Sequence, residues 1–405
     1  MKRRLLPILM TLVLVCALPI WAAFVTSGDV TNPLVSTAWA TLPDLQAKID
    51  AAADNATITL DSNTEIAATL QITKNLTLDL NGCTLRMTGT GSVLKVSGRA
   101  TLTIQDSSAE GTGTITGGNA EYGGGVYVDD YAALKMTGGC ITGCHASRGG
   151  GGIYSSGNLY MGGTAKIEKC TGSDDAIWNR ENSDIYADGG TVDGTVNNQG
   201  TIKRSEGAAA VTVFNGTVYN RSAGTIIAGI YNGTVENNGT ISGGTFCGGV
   251  TIRKGSWVWE RTGSISGGTF YSSIVNEAGP ERVTGVTFAV TFDRGDGTKT
   301  EPTPVKYNDL VPKPTAPTKS GYTFTGWEDA NGAYDFNTPV TGPLTLTAKW
   351  EKVPSSGGNY YYHPTTDTKA DDTKGSPKTA DPGVALYGVL SLLSLTGLTC
   401  TTKKR

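Results

Sequence analysis

Along most of the chain, apolar and polar residues alternate in bursts of only three to five positions. Thr57-Ile58-Thr59-Leu60, Leu76-Thr77-Leu78-Asp79-Leu80, Val93-Leu94-Lys95-Val96 and Leu102-Thr103-Ile104 are examples. Period-two alternation sends successive side chains to opposite faces, so these bursts predict short, half-buried strands. The pattern then repeats itself. Gly123-Gly124-Gly125-Val126-Tyr127-Val128 leads to Leu134-Lys135-Met136 and Cys144; Gly150-Gly151-Gly152-Ile153-Tyr154-Ser155 leads to Leu159-Tyr160-Met161 and Cys170. Leu134 thus matches Leu159, Cys144 matches Cys170 and Tyr127 matches Tyr154, at a nearly constant interval. Further on, Ile241-Ser242-Gly243-Gly244-Thr245-Phe246 recurs as Ile265-Ser266-Gly267-Gly268-Thr269-Phe270 at a similar interval. Strands repeating at such a period cannot bury an apolar face alone and must stack on their neighbours. The predicted fold is all-β: a parallel β-helix over residues 41–280, right-handed by the rule for parallel crossovers. About nine turns at ~4.8 Å each give a rod of ~45 Å.

Before the first strand, Leu42 to Ala52 spaces its apolar residues as one helix face. Pro43 suits a first helical turn and Asp44 the positive end of the helix dipole. Such a helix is predicted to cap the open end of the coil, whose first turn otherwise exposes unpaired backbone groups. Composition agrees with a coil. The 55 glycines in 405 residues exceed the ordinary ~7% and supply corners with positive φ.

The two ends read differently. Lys2-Arg3-Arg4 followed by the apolar run Leu5 to Ile20 predicts an export signal over 1–40, cleaved after Ala40 or after Ala22. An uncleaved membrane anchor is the alternative. Residues 352–379 are rich in Ser, Gly, Pro, Thr and charge, which predicts a flexible wall-spanning linker. Residues 382–400 carry no charge and precede Lys403-Lys404-Arg405. At ~1.5 Å per residue this span nearly matches a ~30 Å hydrocarbon layer, predicting a C-terminal transmembrane helix with a cytoplasmic basic end.

Charge excludes one class of partner. The chain carries −3 overall, and residues 41–379 hold 27 basic against 34 acidic side chains, so no nucleic-acid footprint exists. His145 and His363 are the only histidines, leaving little material for acid–base chemistry or a metal, and no cofactor is expected. Within the coil, Asp129-Asp130 and Asp174-Asp175 are the only acidic pairs, and both read as solvated corners. Cys144 and Cys170 occupy matching points of adjacent turns. They read as a small apolar ladder, with a Cys144–Cys170 disulfide as the alternative. Tyr127 and Tyr154 alternate with inward residues and should project outward one above the other, with Tyr160 on the neighbouring strand. These three are the candidate ligand-binding residues, as an aromatic strip for sugar rings; a ladder that merely stiffens the rod is the competing reading.

Three resemblances follow from these residues. The repeating tract resembles the pectate-lyase-like β-helix superfamily, which implies either a binding protein or a polysaccharide lyase or hydrolase. The hydrolase and lyase patterns find only a faint echo here, in Thr251-Ile252-Arg253-Lys254. Val290-Thr291-Phe292-Asp293, Gly321-Tyr322-Thr323-Phe324-Thr325-Gly326-Trp327, Asp335-Phe336 and Leu344 to Trp350 resemble the Listeria–Bacteroides repeat, or internalin B-repeat. That resemblance implies a small β-rich, grasp-like module over 286–351, of the kind carried by extracellular bacterial proteins. Ser376-Pro377-Lys378-Thr379-Ala380, with the apolar span and basic tail over 376–405, resembles a cell-wall sorting signal of the Leu-Pro-x-Thr-Gly type. Pro377 and Thr379 match; Ser376 and Ala380 depart from the pattern. It implies a sortase and peptidoglycan as partners, with the membrane holding 382–400 before sorting. The combined expectation is a cell-surface, wall-anchored adhesin or binding protein of a Gram-positive-type bacterium, for glycan or a host surface. A lyase or hydrolase, and a purely structural display stalk, are the alternatives.

Overall fold

The computed structural model describes residues 45–172, 175–255 and 262–354. The export segment 1–40, Asp174, Trp257, Trp259, the linker beyond 354, the sorting motif 376–380 and the span 382–400 lie outside these. Among the described residues no helix is long and apolar enough to cross a membrane.

The described chain is almost entirely β, with one short α-helix, Leu45–Ala51, and a single 3-10 turn, Pro280–Arg282. Its strands form parallel ladders in which each strand pairs with its counterpart one turn later. One ladder starts at Ala56–Thr59 and continues through Leu76–Asp79, Thr101–Gln105 and Ala133–Met136. A second starts at Thr64–Ile66 and continues through Thr84–Met87, Thr114–Thr116 and Cys140–Thr142. The two join where Asn158–Glu168 and Asp184–Asp193 serve both, making one 18-stranded sheet. The third ladder is a separate ten-stranded sheet from Leu70–Ile72 to Ile274–Asn276, one turn more than the nine expected.

Stacking converts period-two alternation into continuous files of like residues. In the first ladder, Leu102, Leu134, Leu159, Ile185 and Ile202 lie in register, all fully buried. In the second, Ile141, Ile167 and Val192 give way to Phe214, Tyr231, Phe246 and Phe270. Those four rings stack at 5.0, 4.9 and 4.7 Å between centroids, nearly parallel. In the third, one inward file changes from Val96 and Val128 to Ser155, Asn179, Asn198, Asn220 and Asn237, the last five fully buried. Burying an amide is costly unless every polar group is bonded. Here each amide nitrogen donates to the carbonyl oxygen of the next: Asn179 to Asn198 at 2.8 Å, Asn198 to Asn220 at 2.8 Å, and Asn220 to Asn237 at 2.7 Å. The file thus satisfies itself along the ladder.

Both ends of the third ladder are covered. The helix buries Leu45 and Ile49, and the Gln46 side-chain amide bonds both backbone groups of Gln71. It accepts from Gln71 N at 2.7 Å and donates to Gln71 O at 3.1 Å, imitating a strand neighbour for the first strand of the third ladder. The first residues of the expected helix, 42–44, lie outside the described residues. At the far end Thr284 N donates to Ile265 O and Ile274 N to Thr341 O, both at 2.8 Å. Phe288 meets Phe270 edge-on at 6.4 Å, so the following sheet packs onto the last turn. That sheet has five strands, with Thr287–Asp293 and Leu344–Lys352 as a parallel central pair and antiparallel neighbours. Phe292, Phe324, Trp327 and Trp350 form its aromatic core through edge-to-face contacts.

Candidate functional site

The candidate tyrosines occupy two separate sheets. Tyr127 and Tyr154 are in register in the third ladder, their rings stacked at 5.0 Å and 22°. Tyr160 stands in the first ladder, stacked on Tyr186 at 4.2 Å and 10°. The reason is local: Ser156 and Gly157 turn the corner between the two sheets, so the strand bearing Tyr160 pairs with Ala133–Met136. Tyr154 is only 8% exposed, covered by Tyr122 at 4.8 Å and Trp178 at 6.2 Å.

Ring orientation decides what these stacks offer. Rings that stack along the rod turn their faces to each other and their edges and hydroxyls to solvent. The outer faces are also occupied: Lys95 Nζ sits 5.2 Å from the Tyr127 centroid and Lys135 Nζ 5.3 Å from Tyr160. Lys203 Nζ lies 4.8 Å from Tyr186 and is held by Asp184 at 2.7 Å. Each is a cation–π contact. Burial, then the neighbouring Tyr154 and Asp129, pushes the Tyr127 hydroxyl above its ordinary pKa. Burial and Tyr186 do the same for Tyr160. Both therefore stay protonated donors at neutral pH.

Cys144 and Cys170 are free thiols in this structure, and the two side chains hydrogen-bond each other. That bond lowers the Cys144 pKa and, with burial, raises that of Cys170. Of the acidic pairs, Asp129 lies 3.9 Å from Lys95 and accepts from Asp130 N, while Asp175 is buried beside Asn197. His145 is exposed, its Nδ1 3.2 Å from Thr171 Oγ1. Arg253 is held between Glu236 at 2.5 Å and Glu277 at 2.6 Å. Among the described residues no group of three or more His, Cys, Asp or Glu is placed to hold a metal ion. Shallow cavities are present among the described residues, one of them of about 520 Å³ lined by Phe270, Tyr271, Phe288, Pro302, Pro304 and Pro343. Another of about 260 Å³ is lined by Asn55, Asn75, Thr77, Thr103 and Lys135, and one of about 420 Å³ by Phe292, Arg294, Asp296, Pro317 and Trp327.

The cavity lined by Phe292 and Trp327 belongs to the five-stranded sheet, whose Phe, Trp and Gly spacing is a family pattern. Residues 288–349 match the Listeria-Bacteroides repeat domain. The match spans this repeat module and leaves the coil unassigned. Among curated proteins, a "Putative Gly-rich membrane protein" of Evansella cellulosilytica is 35% identical over 68 residues, 16% of this chain and 8% of that protein. Internalin H of Listeria monocytogenes is 36% identical over 95 residues, 22% of this chain and 16% of that protein. The similarity thus covers a small part of each relative's length. No solved structure matches the chain.

Sequence reasoning missed the partners that complete the tyrosine stacks. Tyr186 lies one repeat after Tyr160, and Trp178 one repeat after Tyr154. The same repeat spacing, carried one turn further, identifies both.

Proposed function

We propose that this chain is a surface-displayed binding protein of a bacterial cell wall, with glycan as its ligand class. In this reading the ladders form a right-handed parallel β-helix that stands on the repeat module and a linker. Sortase cleavage after Thr379 then joins it to peptidoglycan. The observation that carries the reading is the repeat-domain match over 288–349, because the resemblance points to extracellular bacterial proteins. An export-type N-terminus, the Ser376–Ala380 pattern before an apolar span, and a relative named as a membrane protein lend support. One outward file suits glycan: Thr57, Thr77, Thr103, Lys135, Tyr160, Tyr186 and Lys203 stand in register along the first ladder.

A display stalk is the second reading, favoured by the stacked tyrosines whose ring faces are already occupied. Cell fractionation combined with a glycan array tests both. The parent chain should be wall-linked and bind glycan, and Thr379→Ala should remain in the membrane fraction. Wall linkage of Thr379→Ala at the parental level sinks the sorting mechanism. Wall linkage without any glycan bound leaves the stalk.

A further inference from the structure

The corners between the third and first ladders differ in length. Four residues follow Val96, four follow Val128 (Asp129 to Ala132), two follow Ser155, and four follow Asn179 (Arg180 to Ser183). All begin in register, since Asp129 N, Ser156 N and Arg180 N each donate to the preceding turn's carbonyl at 2.9 Å. The short corner, Ser156-Gly157, therefore lies recessed between two longer ones. Two turns at ~4.8 Å put its walls about 10 Å apart, room for one flat ring in contact with both. Glycine lets the short corner pack directly against the backbone of the corner below. A Cβ on Gly157 would fall 2.0 Å from Ala132 O and 2.8 Å from Asp129 O.

The near wall carries an anomaly. Tyr131 has φ 64 and is 83% exposed. At the same offset in the far wall stands Asn182, φ 66, a residue that tolerates this conformation. A bulky side chain there is strained, and its exposure returns no packing. Arg99, one turn below, lies 6.0 Å from the ring. At this exposure the ring keeps a face free beside the short corner. Strain of this kind persists where the displayed side chain has a task.

We propose that this notch binds one neutral pyranose unit of a glycan, stacked on the free face of Tyr131. The proposal rests on the glycan-binding reading above and gives it a site that Tyr127, Tyr154 and Tyr160 do not supply. The far wall contributes Arg180, Glu181 and Asn182. A sugar ring presents a C–H face to an aromatic and a rim of vicinal hydroxyls. Guanidinium, carboxylate and amide groups are the side chains that bond adjacent hydroxyls in pairs. Asp129, Asp130 and Glu181 offset Lys95, Arg99 and Arg180, which favours a neutral sugar over an anionic one.

The test uses the full chain on an array of neutral glucose, galactose, mannose and N-acetylglucosamine oligosaccharides, with charged glycans beside them. A neutral glycan bound by the parent should lose at least tenfold in affinity with Tyr131→Ala and Tyr131→Asn, but not with Tyr160→Ala. Tyr131→Asn should also melt no lower than the parent, because asparagine relieves the strain. That separates lost binding from lost fold. Parental affinity in Tyr131→Asn overturns the notch and leaves the glycan reading standing, as does binding of charged glycans alone. Binding of nothing on the array overturns both.

Discussion

The buried asparagine file makes an energetic prediction that can be worked residue by residue. In Asn198 the amide nitrogen donates to Asn220 Oδ1 at 2.8 Å and to Gly200 O at 3.0 Å, and Oδ1 accepts from Asn179 at 2.8 Å. Asn198→Ala removes these three bonds and a fourth, from the amide nitrogen to Thr225 O at 3.4 Å, at a site with no exposure. Asn179 keeps its bond to Ser183 O at 3.3 Å, so its loss is partial. Asn220 Oδ1 loses the donor that Asn198 gave it, at a cost of about 1–3 kcal/mol. The void left by the amide adds to that, for a total of about 2–4 kcal/mol. Asn198→Ala combined with Asn220→Ala should cost less than the two singles added, by about 0.5–3 kcal/mol, because the second change removes the stranded acceptor. Urea denaturation followed by circular dichroism measures all four species. Hydrogen exchange at 196–225 checks that the loss is local, as stacked turns require. A single-variant loss under ~0.5 kcal/mol, or strict additivity, would mean that the file is a passive filling and not a coupled network.

Two further outcomes follow from the core and from its carboxylates. Leu159 is fully buried between Leu134 and Ile185, so Leu159→Asp places an unpaired carboxylate in the file and should cost more than about 4 kcal/mol. A thermal scan matching the parent would refute that register. Burial pushes the Asp106 pKa up, but bonds from Ser108, Gly113 N and Gly82 N outweigh it and hold the carboxyl below its ordinary value. Asp79 is held down in the same way by Gln105, Ser107 N and Asn81 N against its burial. A depressed folded pKa gives stability that is complete above the unfolded value and is lost as pH falls through the folded one. Melting temperature should therefore stay level from neutrality to about pH 5 and fall below about pH 4, and Asp106→Asn should shrink that fall.

Much of the architecture was legible because matching residues recur at nearly constant spacing. Leu134 and Leu159, predicted equivalent from that repeat interval, are direct partners. Val126 and Val128 point inward and Tyr127 outward, as alternation requires. The asparagines were harder to read. Gly194-Thr195-Val196-Asn197-Asn198 looks like a strand running into a polar corner, and polarity alone sends both amides outward. Only the presence of Asn179, Asn220 and Asn237 in adjacent turns makes an inward Asn198 tolerable. The tyrosines show the complementary limit. Periodicity gives the side of the sheet, but whether a ring face is free depends on what stands one turn away. Tyr131 was invisible for a further reason: its backbone strain depends on a corner register that no pairwise spacing reports.

The covered ends of the third ladder bear on how many such molecules can share a surface. A parallel ladder is a template that any chain with an open strand can lengthen, and a dense layer of molecules would bring templates together constantly. Gln46 occupies both backbone groups of Gln71 at one end, and Thr341 takes the amide of Ile274 at the other. A second copy must break these bonds before it can add a turn at the third ladder. Strand addition by a neighbouring copy is thus opposed at the same two places where the third ladder begins and stops.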